Sequence, residues 1–177
     1  LPVIDQGLHR IKDIVHSLLV GLKIGESEET VSIEHIDKLH DLIISEIGNR
    51  DIDIIWENNT DKDLHIYGKL DQVVCNLLKN ALEALPDGGT VTFCIRQDGP
   101  HLIIEVSDNG PGIPSSIRNQ LFDPFFTTKD VGDGVGLGLS ITYGIVTDLD
   151  GDIRVSNAPS GGAVFVVKLP LCEKQSD

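Results

Sequence analysis

Apolar residues recur at helical spacing through residues 4–22, where Ile4, Leu8, Ile11, Val15, Leu18 and Leu22 share one stripe and predict a long amphipathic helix. Such a stripe has little of its own to pack on, so it must be buried against a partner helix, in a longer parent chain or in another subunit. The polar run GESEET at 25–30 breaks the pattern. A second helix is predicted over 34–47, carrying Ile36, Leu39, Ile43 and Ile47, with Ser32 as its cap and Gly48 as its terminator.

After residue 50 the period shortens. DIDIIW predicts a short strand, ENNTDKD a polar turn, and LHIY a further strand. Residues 69–85 carry the strongest helical pattern in the chain, with Leu70, Val73, Val74, Leu77, Leu78 and Ala81 inward and PDGG closing the helix. TVTFCIRQ and HLIIEVS read as two strands joined by the tight turn DGP. A short helix at 115–120, a Gly-rich segment to 138, a helix ending near Leu149 and a closing hairpin, DGDIRVSNAP with GGAVFVVKLP, complete the order. The expected fold class is α+β, a two-layer sandwich with a mostly antiparallel sheet covered by helices on one face and preceded by the long amphipathic helix. Three segments follow: 1–30, then 31–172 as the main domain, and a tail at 173–177.

Composition narrows the function. With 28 acidic against 14 basic side chains the formal charge is −14, which disfavours nucleic acid or an anionic membrane as a partner reached through bulk electrostatics. No apolar run is long enough to span a bilayer, and the chain as given is expected to be soluble and cytoplasmic. It begins at Leu1 and contains no methionine, as the internal portion of a membrane-attached receptor would. Cys75, Cys94 and Cys172 lack the spacing of a zinc site and read as reduced thiols.

Four polar features interrupt the apolar pattern. Asn76 and Asn80 lie four apart on one face of an otherwise apolar helix, where amides have poor propensity and need a partner if buried. A satisfied core amide is one account; an amide oxygen meeting a Mg²⁺ carried by a phosphate chain is the other. DNGPGIP, residues 108–114, follows a strand: it is a simple turn, or Asp108 accepts from the amine of adenine while Gly110 and Gly112 let the backbone approach a flat ring. LFDPFFTTK, residues 121–129, crowds Phe122, Phe125 and Phe126 into a loop, as local packing or as a latch for a lid. Lys129 there is a surface charge or a phosphate contact. GDGVGLGLS, residues 132–140, opens onto a helix, and its backbone N–H groups form either a linker or an anion cradle. Neither the Walker nor the Rossmann pattern is present.

Taken in order, these segments resemble the N, G1, F and G2 boxes of the Bergerat-fold ATPases and kinases, which include DNA gyrase, the large heat-shock chaperone, MutL and the sensor histidine kinases. NLLKNALEALPDGG, DNGPGIP, LFDPFFTTK and GVGLGLS are most similar to histidine kinases of the nitrogen-regulatory type, over about residues 50–170. The resemblance implies ATP and Mg²⁺ as cofactors. Asn80 would be the metal ligand, Asn76 would assist at the phosphates, and Asp108 would receive the adenine amine. Gly110, Gly112 and Ile113 would line the base, Lys129 would reach the phosphates from a lid, and Gly134, Val135, Gly136, Leu137, Gly138 and Leu139 would wrap the triphosphate. Asn76, Asn80 and Lys129 would thus serve the transfer step.

Departures from the family pattern are local. Val135 stands where many relatives carry threonine, and Ala163 and Val164 sit where a threonine often helps hold adenine through water. The gyrase-like relatives keep a glutamate one turn before the metal asparagine; here that place is Asn76, and an amide is no general base. Transfer to a positioned histidine is therefore expected over efficient hydrolysis.

HRIKDIVHSLL resembles the second dimerisation helix of these kinases, making 1–30 a partial hairpin and linker. The phosphoacceptor motif is missing: His9, His16, His35, His40, His65 and His101 do not match it, so the accepting histidine is expected in a parent chain or partner subunit. A response-regulator receiver domain downstream and a monomer, or a weak homodimer through the first helix, are the partners implied, with no nucleic acid and no membrane contact by this segment. Two alternatives stay open: a gyrase-like ATPase or conformational switch, and a regulatory ATP-binding module without catalysis.

Overall fold

A computed structural model describes residues 30–48, 50–128 and 136–171. The helix expected at 4–22, Lys129, Gly134, Val135 and Cys172 lie outside the described residues. Thr30–Ser32 (β1) leads into the helix Glu34–Ile47 (α1), followed by Ile52–Asn59 (β2), His65–Tyr67 (β3) and the helix Leu70–Glu83 (α2). Gly89–Asp98 (β4), His101–Asp108 (β5), a single 3-10 turn at Arg118–Gln120, the helix Gly138–Asp148 (α3), Asp152–Asn157 (β6) and Ala163–Pro170 (β7) complete the order.

The main sheet has the order β2-β4-β5-β7-β6. Its three pairings from β4 to β6 are antiparallel, whereas β2 runs parallel to β4. A parallel neighbour needs a crossover, which β3 and α2 supply, and this sets α2 against the sheet. The alternating pattern of the strands points Val91, Phe93 and Ile95 of β4, Leu102, Ile104 and Val106 of β5, and Phe165, Val167 and Leu169 of β7 into one core. Leu70, Val73, Val74, Leu77 and Leu78 of α2 meet them, each fully buried. The α+β sandwich expected from the pattern is therefore present.

Three local expectations are revised. Residues read as a polar turn after Trp56 continue β2 through Asn59, because the parallel ladder runs on to the pair Asn59↔Arg96, and the Asn58 amide donates to Asp37 on α1 at 3.1 Å. The helix expected at 115–120 shrinks to the 3-10 turn at Arg118–Gln120. A strand within 30–32 was not expected; it pairs with β3 as a separate two-stranded ribbon. Ser32 sits two residues before Glu34 and accepts the Glu34 N–H on its Oγ at 3.3 Å, and Gly48 ends α1 at φ 59°.

Candidate functional site

The polar residues singled out by pattern meet at one end of the sheet. A cavity of about 410 Å³ opens between α2, the loop after β5, the segment 121–128 and the start of α3. Asn76 and Asn80 line it from α2, Asp108, Gly112 and Ile113 from the end of β5, and Gly136, Leu137, Gly138 and Leu139 from the approach to α3. Gly110 does not line it; instead its N–H donates to Asp108 Oδ1 at 2.9 Å.

Asp108 is one of the two buried polar residues of the described core, 7% exposed. Both of its backbone donors go to one oxygen: Oδ1 accepts from Gly110 at 2.9 Å and from Ala163, the first residue of β7, at 3.3 Å. That pair of bonds fixes the carboxylate through Oδ1 and leaves acceptor capacity on Oδ2. Close approach of β7 depends on Gly162, whose φ is 88° and where a Cβ would overlap the Asp108 carbonyl oxygen. Val164, paired with Ser107, is not among the cavity residues; Ala163 is.

On α2 the two asparagines have different duties. Asn76 Nδ2 donates to the Gly138 carbonyl at 3.0 Å and to Thr142 Oγ1 at 3.2 Å, so its amide nitrogen is spent on holding α3 against α2 and only its oxygen remains for a ligand. Asn80 Nδ2 is buried without a hydrogen-bond partner. A buried amide end without a partner is costly, and it belongs to a residue that lines the cavity.

The first turn of α3 borders the cavity. No side chain caps it, and its hydroxyls turn to carbonyls instead: Ser140 Oγ donates to Leu137 O and Thr142 Oγ1 to Gly138 O, both at 2.9 Å. The uncapped N–H groups and the helix dipole favour negative charge at Gly138 and Leu139. The aromatic loop is tied to the same place. Phe125 donates its N–H to Gly136 O at 3.0 Å, Phe126 lines the cavity, and Phe122 packs on Tyr143 of α3 with ring centres 5.5 Å apart. Gly136 has φ 69°, and a Cβ there would strike the backbone of Phe125 and Phe126.

Several residues of the site carry no obvious mark in the sequence. Asn157 at the end of β6 clamps Ile113 from both sides, accepting its N–H at 2.9 Å and donating to its carbonyl at 3.0 Å. Lys79 and Glu83 on α2, Thr127, Thr128 and Phe165 also line the cavity. Glu83 was legible in principle, since it lies three residues after Asn80 on the same helical face. Among the described residues no group of three His, Cys, Asp or Glu side chains is placed to hold a metal by itself, so any divalent cation here would be shared with a ligand.

This geometry has known counterparts. The chain belongs to the family described as histidine kinase-, DNA gyrase B-, and HSP90-like ATPase, whose match covers residues 66–173. Within that family its likeness runs to histidine kinases. It is 32% identical to the sensor kinase CckA of Brucella abortus (strain 2308) over 98% of this chain and 20% of that protein. The nucleotide-free catalytic domain of histidine kinase ThkA superposes with a TM-score of 0.73 at 30% identity, covering 82% of this chain and 97% of that one. A second structure, ThkA in complex with the response regulator protein TrrA, superposes with a TM-score of 0.74 at 26% identity over 98% of this chain and 51% of that one. The chain spans less than a quarter of the length of the curated relatives it matches.

Proposed function

We propose that this chain is the ATP-binding catalytic portion of a two-component sensor histidine kinase, moving the γ-phosphoryl group of ATP to a histidine outside the chain. The observation that carries the reading is the cavity itself: a buried, backbone-fixed Asp108 at one end and the uncapped start of α3 with Asn80 at the other. Asp108 accepts the exocyclic amine of adenine, and Gly112 and Ile113 border the ring. The first N–H groups of α3 take the phosphate oxygens. Asn80 would offer an amide oxygen to Mg²⁺, which when bound would offset the charge of the phosphates.

Asn76 occupies the turn before Asn80 and its amide nitrogen is committed to Gly138 and Thr142. No base stands there to activate water, so transfer to an imidazole presented from outside fits better than hydrolysis. Residues 31–172 form the catalytic unit and 1–30 the second helix of a dimerisation hairpin with its linker, with Lys129, Gly134 and Val135 as further phosphate contacts. The phosphoacceptor helix and a response-regulator receiver domain are the partners. The thiols of Cys75 and Cys94, which form no disulfide, and the need for ATP suit the cytoplasm.

The test is calorimetric titration of the chain with a non-hydrolysable ATP analogue, with and without Mg²⁺, on wild type and Asp108→Asn. Labelled ATP is then supplied with a histidine-bearing helical hairpin added in trans. Saturable Mg²⁺-dependent binding lost in the variant, with acid-labile phosphate on the hairpin and none on this chain, is expected. Absence of binding at millimolar nucleotide would reject the reading, and sustained orthophosphate release would replace it with an ATPase.

A further inference from the structure

The described lining of the cavity holds one ammonium, Lys79, and two carboxylates, Glu83 and Asp108. Asp108 is fixed by backbone donors at the adenine end. Glu83 has no place in the reading given above, yet it follows Asn80 by three residues in α2 and shares the stripe of Asn76 and Asn80. A carboxylate beside a triphosphate repels it, in a chain that already carries a formal charge of −14. Positive charge lying between the two would turn that repulsion into attraction.

Resting on the ATP-binding reading, we infer that Glu83 is a metal-side residue that makes the site select Mg²⁺-bound over metal-free nucleotide. Magnesium is usually held by one or two carboxylates together with phosphate oxygens, and it keeps several of its waters. Asn80 supplies a neutral ligand, and the cavity lacks a three-residue metal cluster among the described residues. Glu83 is exposed at the rim, a position suited to accepting hydrogen bonds from metal-bound water. With the cation present it attracts; without it, the same charge repels the phosphates. Lys79, one residue before Asn80 at the same rim, acts on the phosphates in both cases.

The test measures the ratio of dissociation constants for a β,γ-imido ATP analogue in EDTA and in Mg²⁺. Wild type, Glu83→Gln, Glu83→Asp and Lys79→Gln are compared, each first checked for an unchanged thermal transition. Mn²⁺ bound in the presence of the analogue is read separately by electron paramagnetic resonance. Glu83→Gln is expected to shrink the ratio by about tenfold, the usual scale for outer-shell metal partners, by weakening the metal form while leaving the metal-free form unchanged or tighter. Glu83→Asp keeps part of the ratio, and Lys79→Gln weakens both forms together and leaves it intact. An unchanged ratio and unchanged Mn²⁺ binding in Glu83→Gln would overturn the inference while leaving ATP binding standing. Failure of wild type to bind either form would reject the ATP-binding reading before any variant is compared.

Discussion

Asn76 donates its side-chain amide to the carbonyl of Gly138 at 3.0 Å, joining the middle of α2 to the first residue of α3 across 62 positions of sequence. The same nitrogen reaches Thr142 Oγ1, and Thr142 is fully buried. A residue that the family resemblance assigns to the phosphates is therefore also the fastener that holds the first turn of α3 at the cavity.

Replacing Asn76 with Asp sets an acceptor against two oxygen atoms and breaks the fastener. A loss of about 1–3 kcal/mol of unfolding free energy is expected, read by urea denaturation. The nucleotide titration should weaken along with it, whereas a change confined to binding would show that α3 is held by its other contacts.

Gly162→Ala tests the seat of Asp108. Its φ of 88° and the overlap of any Cβ with the Asp108 carbonyl oxygen predict a loss above about 2 kcal/mol. The Ala163 N–H is then drawn off the Asp108 carboxylate, and adenine affinity falls. A crystal structure of the variant with the Ala163 to Asp108 bond intact would refute this.

Arg50 places one nitrogen, Nη2, 2.8 Å from both Leu82 O and Leu85 O, adding a charged donor to carbonyls around the end of α2 that also accept the Leu85 and Gly88 N–H groups at 3.3 Å. Arg50→Ala should cost about 1–2 kcal/mol. Hydrogen exchange localised to the last turn of α2 would report it, with nucleotide affinity reduced only as far as Glu83 and Ala84 loosen.

His35 Nε2 lies 2.7 Å from Asp71 Oδ2, linking the first turns of α1 and α2. Burial pushes the Asp71 carboxyl above its ordinary 3.8, and the charge and hydrogen bond of His35 pull it part of the way back. The folded state thus holds this proton more tightly than the unfolded chain, so the Asp71 contribution to stability falls as pH rises from 3.8 through the raised folded value. Asp71→Asn is expected to flatten that slope in a series of denaturation midpoints across the acid range. An unaltered slope would assign the pH dependence to other carboxylates.

Glu34–Ile47, Leu70–Glu83 and Gly138–Asp148 all lie within a residue or two of the helices read from spacing, and the strands at Gly89–Asp98, His101–Asp108 and Ala163–Pro170 follow their alternation. Local periodicity is enough there because each element buries one face and its own sequence records which. The site was legible where its chemistry opposes that record, as with amides in an apolar helix and glycines ahead of a helix. Glu83 and Lys79 escaped notice because a charged residue on an exposed helical face looks the same whether it borders water or a cavity.

By itself the chain's pattern of apolar and polar positions determined the elements and the α+β class and singled out several residues that line the cavity, since these depend on neighbours a few positions away. Only the tertiary structure decided that β2 runs parallel to β4, that Ala163 reaches Asp108 across 55 positions and that Asn157 clamps Ile113 across 44. Those choices rest on hydrogen bonds between groups far apart in the sequence, backbone to backbone in the ladder and backbone to side chain at Asp108 and Asn157, and such partners leave no periodic trace because any residue that brings the right donor or acceptor to the right place would serve.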